Sequence, residues 1–365
     1  MKKLLLIALL LGAHQVFAQL QPLTTPNAGG NKKASVSENI GLCEVKIDYN
    51  RPGVKGREGK IWGTNLAFYG LTDQQFGASK AAPWRVGANE STTISFSTDV
   101  MVEGKVLPAG KYGLFMNCSE KETIVIFNKN TTAWGSFSYD PADDVLQVTV
   151  KNETLDKGVE WMKFEFENQT DNSAAIALLW EKRRIPFKVQ VDLLKTQFAS
   201  FKRELETPKG FSSSALLQAA NFCLRNNYEL AQGSIWADKA MGSSFPGERN
   251  FLTLSAKANY LIKENKIADA DVLMKEAITY GTAPQLNAYA NSLMAQKKEK
   301  EAATIYLLNY TKYPTVFVTN YSLAKMYVAT NQKEKAIKLA KSALQYSNNE
   351  AQKTMTESLI KELGG

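Results

Sequence analysis

A single histidine, His14, stands in 365 residues, and Cys43, Cys118 and Cys223 are the only thiols. Triad hydrolases need an imidazole base and most zinc sites use histidine or closely paired cysteines, so both classes lose their usual residues here. No CxxC spacing, GxSxG elbow, SxxK pair, phosphate loop or dinucleotide fingerprint occurs either. No cofactor or metal is expected. Beyond the amino terminus no apolar run exceeds the seven residues Ala174 to Trp180, too short for hydrocarbon about 30 Å thick. Arginine-rich blocks are missing as well: 44 Lys+Arg are dispersed among 36 Asp+Glu, so the formal charge of +8 does not single out nucleic acid as a partner. What is present, 44% hydrophobic and 22% charged residues, describes a globular chain long enough for two domains.

Lys2 and Lys3 precede an apolar stretch from Leu4 to Leu11, and Val16-Phe17-Ala18 puts small residues at the two positions a signal peptidase reads. Residues 1–18 are expected to be a secretory signal peptide cut between Ala18 and Gln19. Because Gln19 is not a cysteine, no lipid anchor is expected, and the mature protein is read as soluble, periplasmic or secreted. Cleavage would remove His14 and, with Lys2 and Lys3, lower the charge from +8 to +6. An odd number of cysteines in an oxidising compartment leaves at least one free or paired between chains. Cys43 alternates with Val45, Ile47 and Tyr49, as a buried inert thiol on a strand would; a Cys43–Cys118 disulfide is the alternative.

Residues 19–33, with Pro22, Pro26, Gly29 and Gly30, carry no apolar period and read as a flexible leader. From 34 to 192 the period is two: Leu146, Val148 and Val150, then Met162, Phe164 and Phe166, then Phe187, Val189 and Val191 alternate with polar residues. Glu103-Gly104, Pro108-Ala109-Gly110 and Asp171-Asn172 supply turns between the runs. Short strands without helical crossovers predict an antiparallel β-sandwich. Residues 193–365 switch to helical periodicity. Alanines twelve residues apart (Ala219 and Ala231, Ala258 and Ala270, Ala290 and Ala302, Ala324 and Ala336) predict tandem helical hairpins. With Tyr327, Ala343 and Pro314 they resemble the tetratricopeptide repeat; a plain helical bundle is the alternative.

Two strings, Asp48-Tyr49-Asn50-Arg51-Pro52-Gly53-Val54-Lys55-Gly56-Arg57 and Pro83-Trp84-Arg85-Val86-Gly87-Ala88-Asn89-Glu90-Ser91-Thr92-Thr93-Ile94, stand in the strand region. With Leu107 to Phe115, Val125 to Lys129 and Trp134-Gly135, then Tyr139-Asp140, Asp143 to Leu146 and Phe166-Glu167-Asn168, they resemble the bacterial family known as domain of unknown function 2911. The resemblance covers about 34–192 and implies an exported β-sandwich, often followed by helical repeats, with no established activity. This chain departs from it by inserting Leu66 to Ala82 and by having Val86 where the family usually has threonine.

Arg51, Lys55, Arg57, Trp84, Arg85, Asn89 and Glu90 fall beside glycine and proline at strand ends, where scaffolds present ligand contacts. Guanidinium forks suit carboxylate or phosphate, and Trp62, Trp84 and Trp134 offer faces for a sugar. The opposing reading is a network that locks loop corners, with the tryptophans in the core. Asp140, Asp143 and Asp144 lack the alternating ligand order of a calcium loop and read as a turn cap; Glu90 with Asp48 is a carboxylate pair by composition only. The expected function is a non-catalytic exported binding protein. Its sandwich would hold a small polar ligand or glycan, and its repeats a protein or peptide. Alternatives are an envelope polysaccharide hydrolase using carboxylates and a structural assembly scaffold.

Overall fold

The computed structural model describes residues 30–364, so the expected signal peptide, its Ala18–Gln19 cleavage point and most of the expected leader lie outside the described residues. Contacts divide the chain into two units between Asp192 and Leu193.

In the first unit, β1 (Lys32–Ile40) and β2 (Cys43–Arg51) form a hairpin whose two-residue turn is opened by Gly41 at φ 56°. Lys32 and Lys33, expected to belong to the leader, pair instead with Arg51 and Asn50 at the open end of this hairpin. The remaining strands are β3 (Thr93–Phe96), β4 (Val100–Val102), β5 (Lys105–Leu107), β6 (Gly110–Cys118), β7 (Glu122–Asn128), β8 (Asp144–Lys151), β9 (Glu153–Glu167) and β10 (Ser173–Gln190). They build two antiparallel sheets, six-stranded β1-β2-β3-β6-β7-β8 and four-stranded β5-β4-β10-β9. Glu103 and Gly104, at φ 48° and 77°, turn β4 into β5 as the sequence predicts. Inward residues of both sheets form one core: Cys43, Val45 and Ile47 of β2 meet Met162 and Phe164 of β9 and Ile176, Leu178 and Trp180 of β10. Edge-to-face rings tie the layers, Phe127 to Phe187 at 6.0 Å and Tyr49 to Phe164 at 5.1 Å between centroids. This is sheet-on-sheet packing.

The second unit is helical. Ten α-helices are described: α1 (Leu193–Leu205), α2 (Ser213–Asn226), α3 (Leu230–Met241), α4 (Phe251–Lys263), α5 (Ile267–Tyr280), α6 (Ala283–Ala295), α7 (Glu299–Lys312), α8 (Phe317–Ala329), α9 (Lys333–Gln345) and α10 (Glu350–Glu362). From α2 to α9 they pair as hairpins. In three hairpins the middle residue of a three-residue turn is left-handed, Asn265 at 61°, Lys297 at 61° and Asn331 at 57°. Ala258, Ala290 and Ala324 each occupy the eighth position of the first helix, and Ala270, Ala302 and Ala336 the fourth of the second, all buried. The first hairpin differs from the predicted pairing. Its equivalent residues are Ala220 and Gly233, because α2 is one residue longer than α4, and Ala231 is exposed.

Candidate functional site

The chain from Trp84 to Thr93 leaves extended geometry three times: Val86 at φ 57°, Gly87 at 140° and Asn89 at 59°. A β-branched residue in the left-handed region costs of order 1–3 kcal/mol and persists only where its surroundings hold it. Here the holding contacts are local. Val86 is fully buried and its carbonyl accepts from Thr92 Oγ1 at 2.5 Å, while Gly87 lies so close to the Asn50 carbonyl that a Cβ would come within 2.7 Å. The strand-like pairing of this segment with 133–135 completes the frame: Ser91 N–H donates to the Ala133 carbonyl at 3.0 Å, Gly135 N–H to the Asn89 carbonyl at 3.0 Å, and Ser91 Oγ to the Gly135 carbonyl.

The result is that the candidate residues do not converge. Arg51 donates from Nε to the Met162 carbonyl at 2.7 Å and fastens β2 to β9. Arg57 closes its own loop through the carbonyls of Val54 and Gly53, at 2.8 and 2.7 Å. Lys55 reaches the Gly30 carbonyl at 3.2 Å and stands 5.7 Å from the Trp161 ring. These three cations hold loop corners. Trp84 is buried against Trp180 and Trp62, with centroids 6.1 and 5.4 Å away, so its face is closed to a sugar. Trp134, by contrast, is 60% exposed. Asn89 contributes its backbone carbonyl, which also receives a hydrogen bond from Arg85 Nη1 at 3.2 Å.

Arg85 and Glu90 serve different spaces. Arg85 lines a cavity of about 380 Å³ with Asn65, Thr72, Gln74, Trp84 and Ser136. Its guanidinium is half-buried, lies 5.9 Å from the Phe137 ring, and makes no ion pair with a carboxylate among the described residues. Burial without a counter-ion pulls its pKa below the ordinary arginine value. Trp84 Nε1 is buried and has no hydrogen-bond partner among the described residues. Gln74 Nε2 donates to Ser136 Oγ at 2.7 Å, tying the inserted segment Leu66 to Ala82 to the opposite wall. The insertion is itself anchored by Thr72–Ala82 pairing at 3.0 Å and by Ser79 N–H on the Phe137 carbonyl at 2.9 Å.

Glu90 lines a groove of about 490 Å³ with Lys33, Asp48, Asn50 and Lys111. Its carboxylate accepts from Asn50 Nδ2 at 2.7 Å and Lys33 Nζ at 3.2 Å. A bond from its own backbone N–H, aided by Asn50 and Lys33 and opposed by partial burial, holds it below the ordinary glutamate range. The aspartates of 140–144 act as a cap: Asp140 Oδ1 accepts from Ala142 N–H at 2.9 Å, and Asp144 from Asn128, Tyr139 and Gln147 at 2.7 to 2.8 Å. The described residues hold no cluster of metal-ligating side chains, and their cysteines are free and buried.

The ordered motifs at Asp48, Trp84, Leu107, Val125 and Trp134 thus fall on the two sheets and the loops that frame the cavities. Residues 31–189 match the family described as protein of unknown function, DUF2911. No curated protein matches the chain. Among solved structures, the crystal structure of YrrB, a TPR protein with an unusual peptide-binding site, is similar at a TM-score of 0.30 and 15% identity, covering 45% of this chain and 84% of that one. Ser136 and Phe137 escaped the sequence reading. The insertion marked Gln74's segment, but no residue pattern pointed to Phe137.

Proposed function

We propose that this is an exported binding protein that performs no bond cleavage, holding a small acceptor-rich anion, such as a carboxylate-bearing sugar, at Arg85. Its helical unit serves as a surface for a protein or peptide. The observation that carries the reading is a half-buried guanidinium facing a 380 Å³ cavity without a carboxylate partner among the described residues. A desolvated cation of that kind favours an anion, and planar N–H forks recognise carboxylate or phosphate in two-point fashion.

A hydrolase reading draws on Asp48 and Glu90, which line one groove. It meets a charge problem: a general acid must keep its proton near neutral pH, which requires a raised pKa, and Glu90 is shifted the other way. Glycan-array profiling of the mature protein, followed by titration calorimetry of the best acidic hit against wild type and Arg85→Gln, tests the proposal. Loss of binding in the variant is expected. Hits that are neutral, or that bind Arg85→Gln as tightly as wild type, would overturn it.

A further inference from the structure

In the helical unit a groove of about 360 Å³ opens between α7 and α9, with α8 as its floor. Its apolar part includes Leu307, which is 50% exposed, Tyr310, and buried Leu323. Leu307, Tyr310 and Leu323 together give the groove a contiguous apolar part that a side chain of a partner can cover. Along the opposite wall α9 presents Lys335, Lys338 and Lys341, all exposed, and no carboxylate lines the groove. Lys335 Nζ stands 5.3 Å from the Tyr327 ring and donates to Gln332 Oε1 at 2.8 Å. Lys338 and Lys341 make no ion pair among the described residues. Three ammonium groups on successive turns repel one another in the free protein, and a partner carrying carboxylates relieves that repulsion.

We infer that this groove docks an acidic peptide segment of a partner protein, with one aliphatic or aromatic side chain seated against Leu307 and Tyr310 and flanking carboxylates on the lysines of α9. The inference rests on the proposed reading of the helical unit as protein-binding, and it adds the place and the chemistry. Apolar depth argues for a peptide over a free small anion, because a simple anion has nothing to set against Leu307. Helix-in-groove recognition uses this combination of apolar anchors and charged flanks.

Fluorescence anisotropy with the full chain provides the test. The probe is a labelled peptide of glutamates with leucines at helical spacing, compared with its glutamine isostere. Binding of the acidic probe should weaken about tenfold or more for the isostere and fall with added salt. Lys338→Glu with Lys341→Glu should abolish it, and Leu307→Ser should weaken it; all three positions are exposed, so the circular dichroism spectrum should not change. Equal binding of both peptides, unaffected by the lysine variant, would overturn the acidic assignment while leaving a peptide-binding helical unit. Failure of both peptides to bind would remove the assignment together with the reading beneath it. Lysine-dependent pelleting with anionic phosphatidylglycerol vesicles, without peptide binding, would assign the groove to a membrane surface instead and also overturn it.

Discussion

Arg85 and Glu90 lie on one short segment yet face separate cavities, Arg85 with Gln74 and Ser136, Glu90 with Lys33 and Asn50. Five residues apart, they would already point to opposite faces of an extended strand, and the left-handed residues Val86 and Asn89 break that strand between them. The two charges therefore have separate energetic roles, and substitution of each should give a different signature.

Arg85→Ala should abolish ligand capture with little loss of stability. The side chain's hydrogen bond to the Asn89 carbonyl contributes about 0.5–1.5 kcal/mol, and its removal strands no buried carboxylate. Arg184 is the contrast: its side chain is only 14% exposed and bonds both Glu153 and Glu167. Arg184→Ala should cost about 2 kcal/mol or more, since hydrogen bonds to charged groups contribute roughly 1.5–3 kcal/mol each and the glutamates lose their cation. Urea unfolding of both variants decides it. An Arg85→Ala loss as large as that of Arg184→Ala would show that Arg85 is a structural cation.

Glu90 sets a pH dependence whose sign follows from its lowered pKa. The unfolded carboxylate protonates near its ordinary value of about 4.5, while the folded one keeps its charge to lower pH. Its contribution is therefore fully present above about pH 4.5 and is lost as pH falls through the folded value. Subtracting the stability–pH curve of Glu90→Gln from that of wild type should leave a difference that shrinks only in that acidic window. A flat difference would show that the bonds to Asn50 and Lys33 do not favour the charged form.

Much of this was readable in the residue order. Period two located the strands because one face of each sheet packs on the shared core, and recurrent alanines located the helical hairpins because small residues let helices approach. The first hairpin was misregistered for a local reason: Ala219 and Ala220 are adjacent and both buried, so spacing alone could not tell which one opposes the next helix. The residue at that crossing, Gly233, gives no periodic signal. At the candidate site, residue type singles out Arg85 as a candidate, but side-chain direction depends on the dihedrals of Val86, Gly87 and Asn89, which Thr92 later in the segment and Asn50 on β2 help to hold.

The thiols should be inert in the folded protein. Burial pushes Cys118 up to about 12 and Cys223 up to about 11, so the reactive thiolate is scarce at neutral pH, and Cys43 is fully inaccessible. Iodoacetamide should leave the native protein unmodified and alkylate all three cysteines after denaturation. Rapid native labelling, or fewer than three modified thiols in the denatured, unreduced protein, would contradict free buried cysteines.

Residues 30–192 and 193–365 should fold when expressed separately, because the core clusters on either side of Asp192 draw on different residues. Circular dichroism should report strand for the first piece and helix for the second, each with a cooperative melt. A non-cooperative melt from either piece would show that it depends on the other.

Gly233→Ala offers the sharpest test of the helical packing because two effects oppose each other. In a helix interior the change normally stabilises by about 0.5–1 kcal/mol through backbone entropy. At this position, however, a Cβ would lie 2.1 Å from Tyr260 Oη and 2.6 Å from Cys223 Cβ. Tyr260 is buried and its hydroxyl donates to the Ala220 carbonyl at 2.6 Å, so it has no free direction in which to retreat. Overpacking costs about 1–3 kcal/mol and the displaced hydrogen bond about 0.5–1.5 more, which together exceed the entropic gain. A net loss of about 1–3 kcal/mol is expected. Tyr260→Phe deletes the nearest atom, so in that background Gly233→Ala should cost measurably less, a coupling that a double-mutant cycle reads directly. Strict additivity of the two substitutions would mean that Gly233 and Tyr260 do not share this contact, and the assignment of Gly233 as the small residue where α3 meets α4 would fail with it.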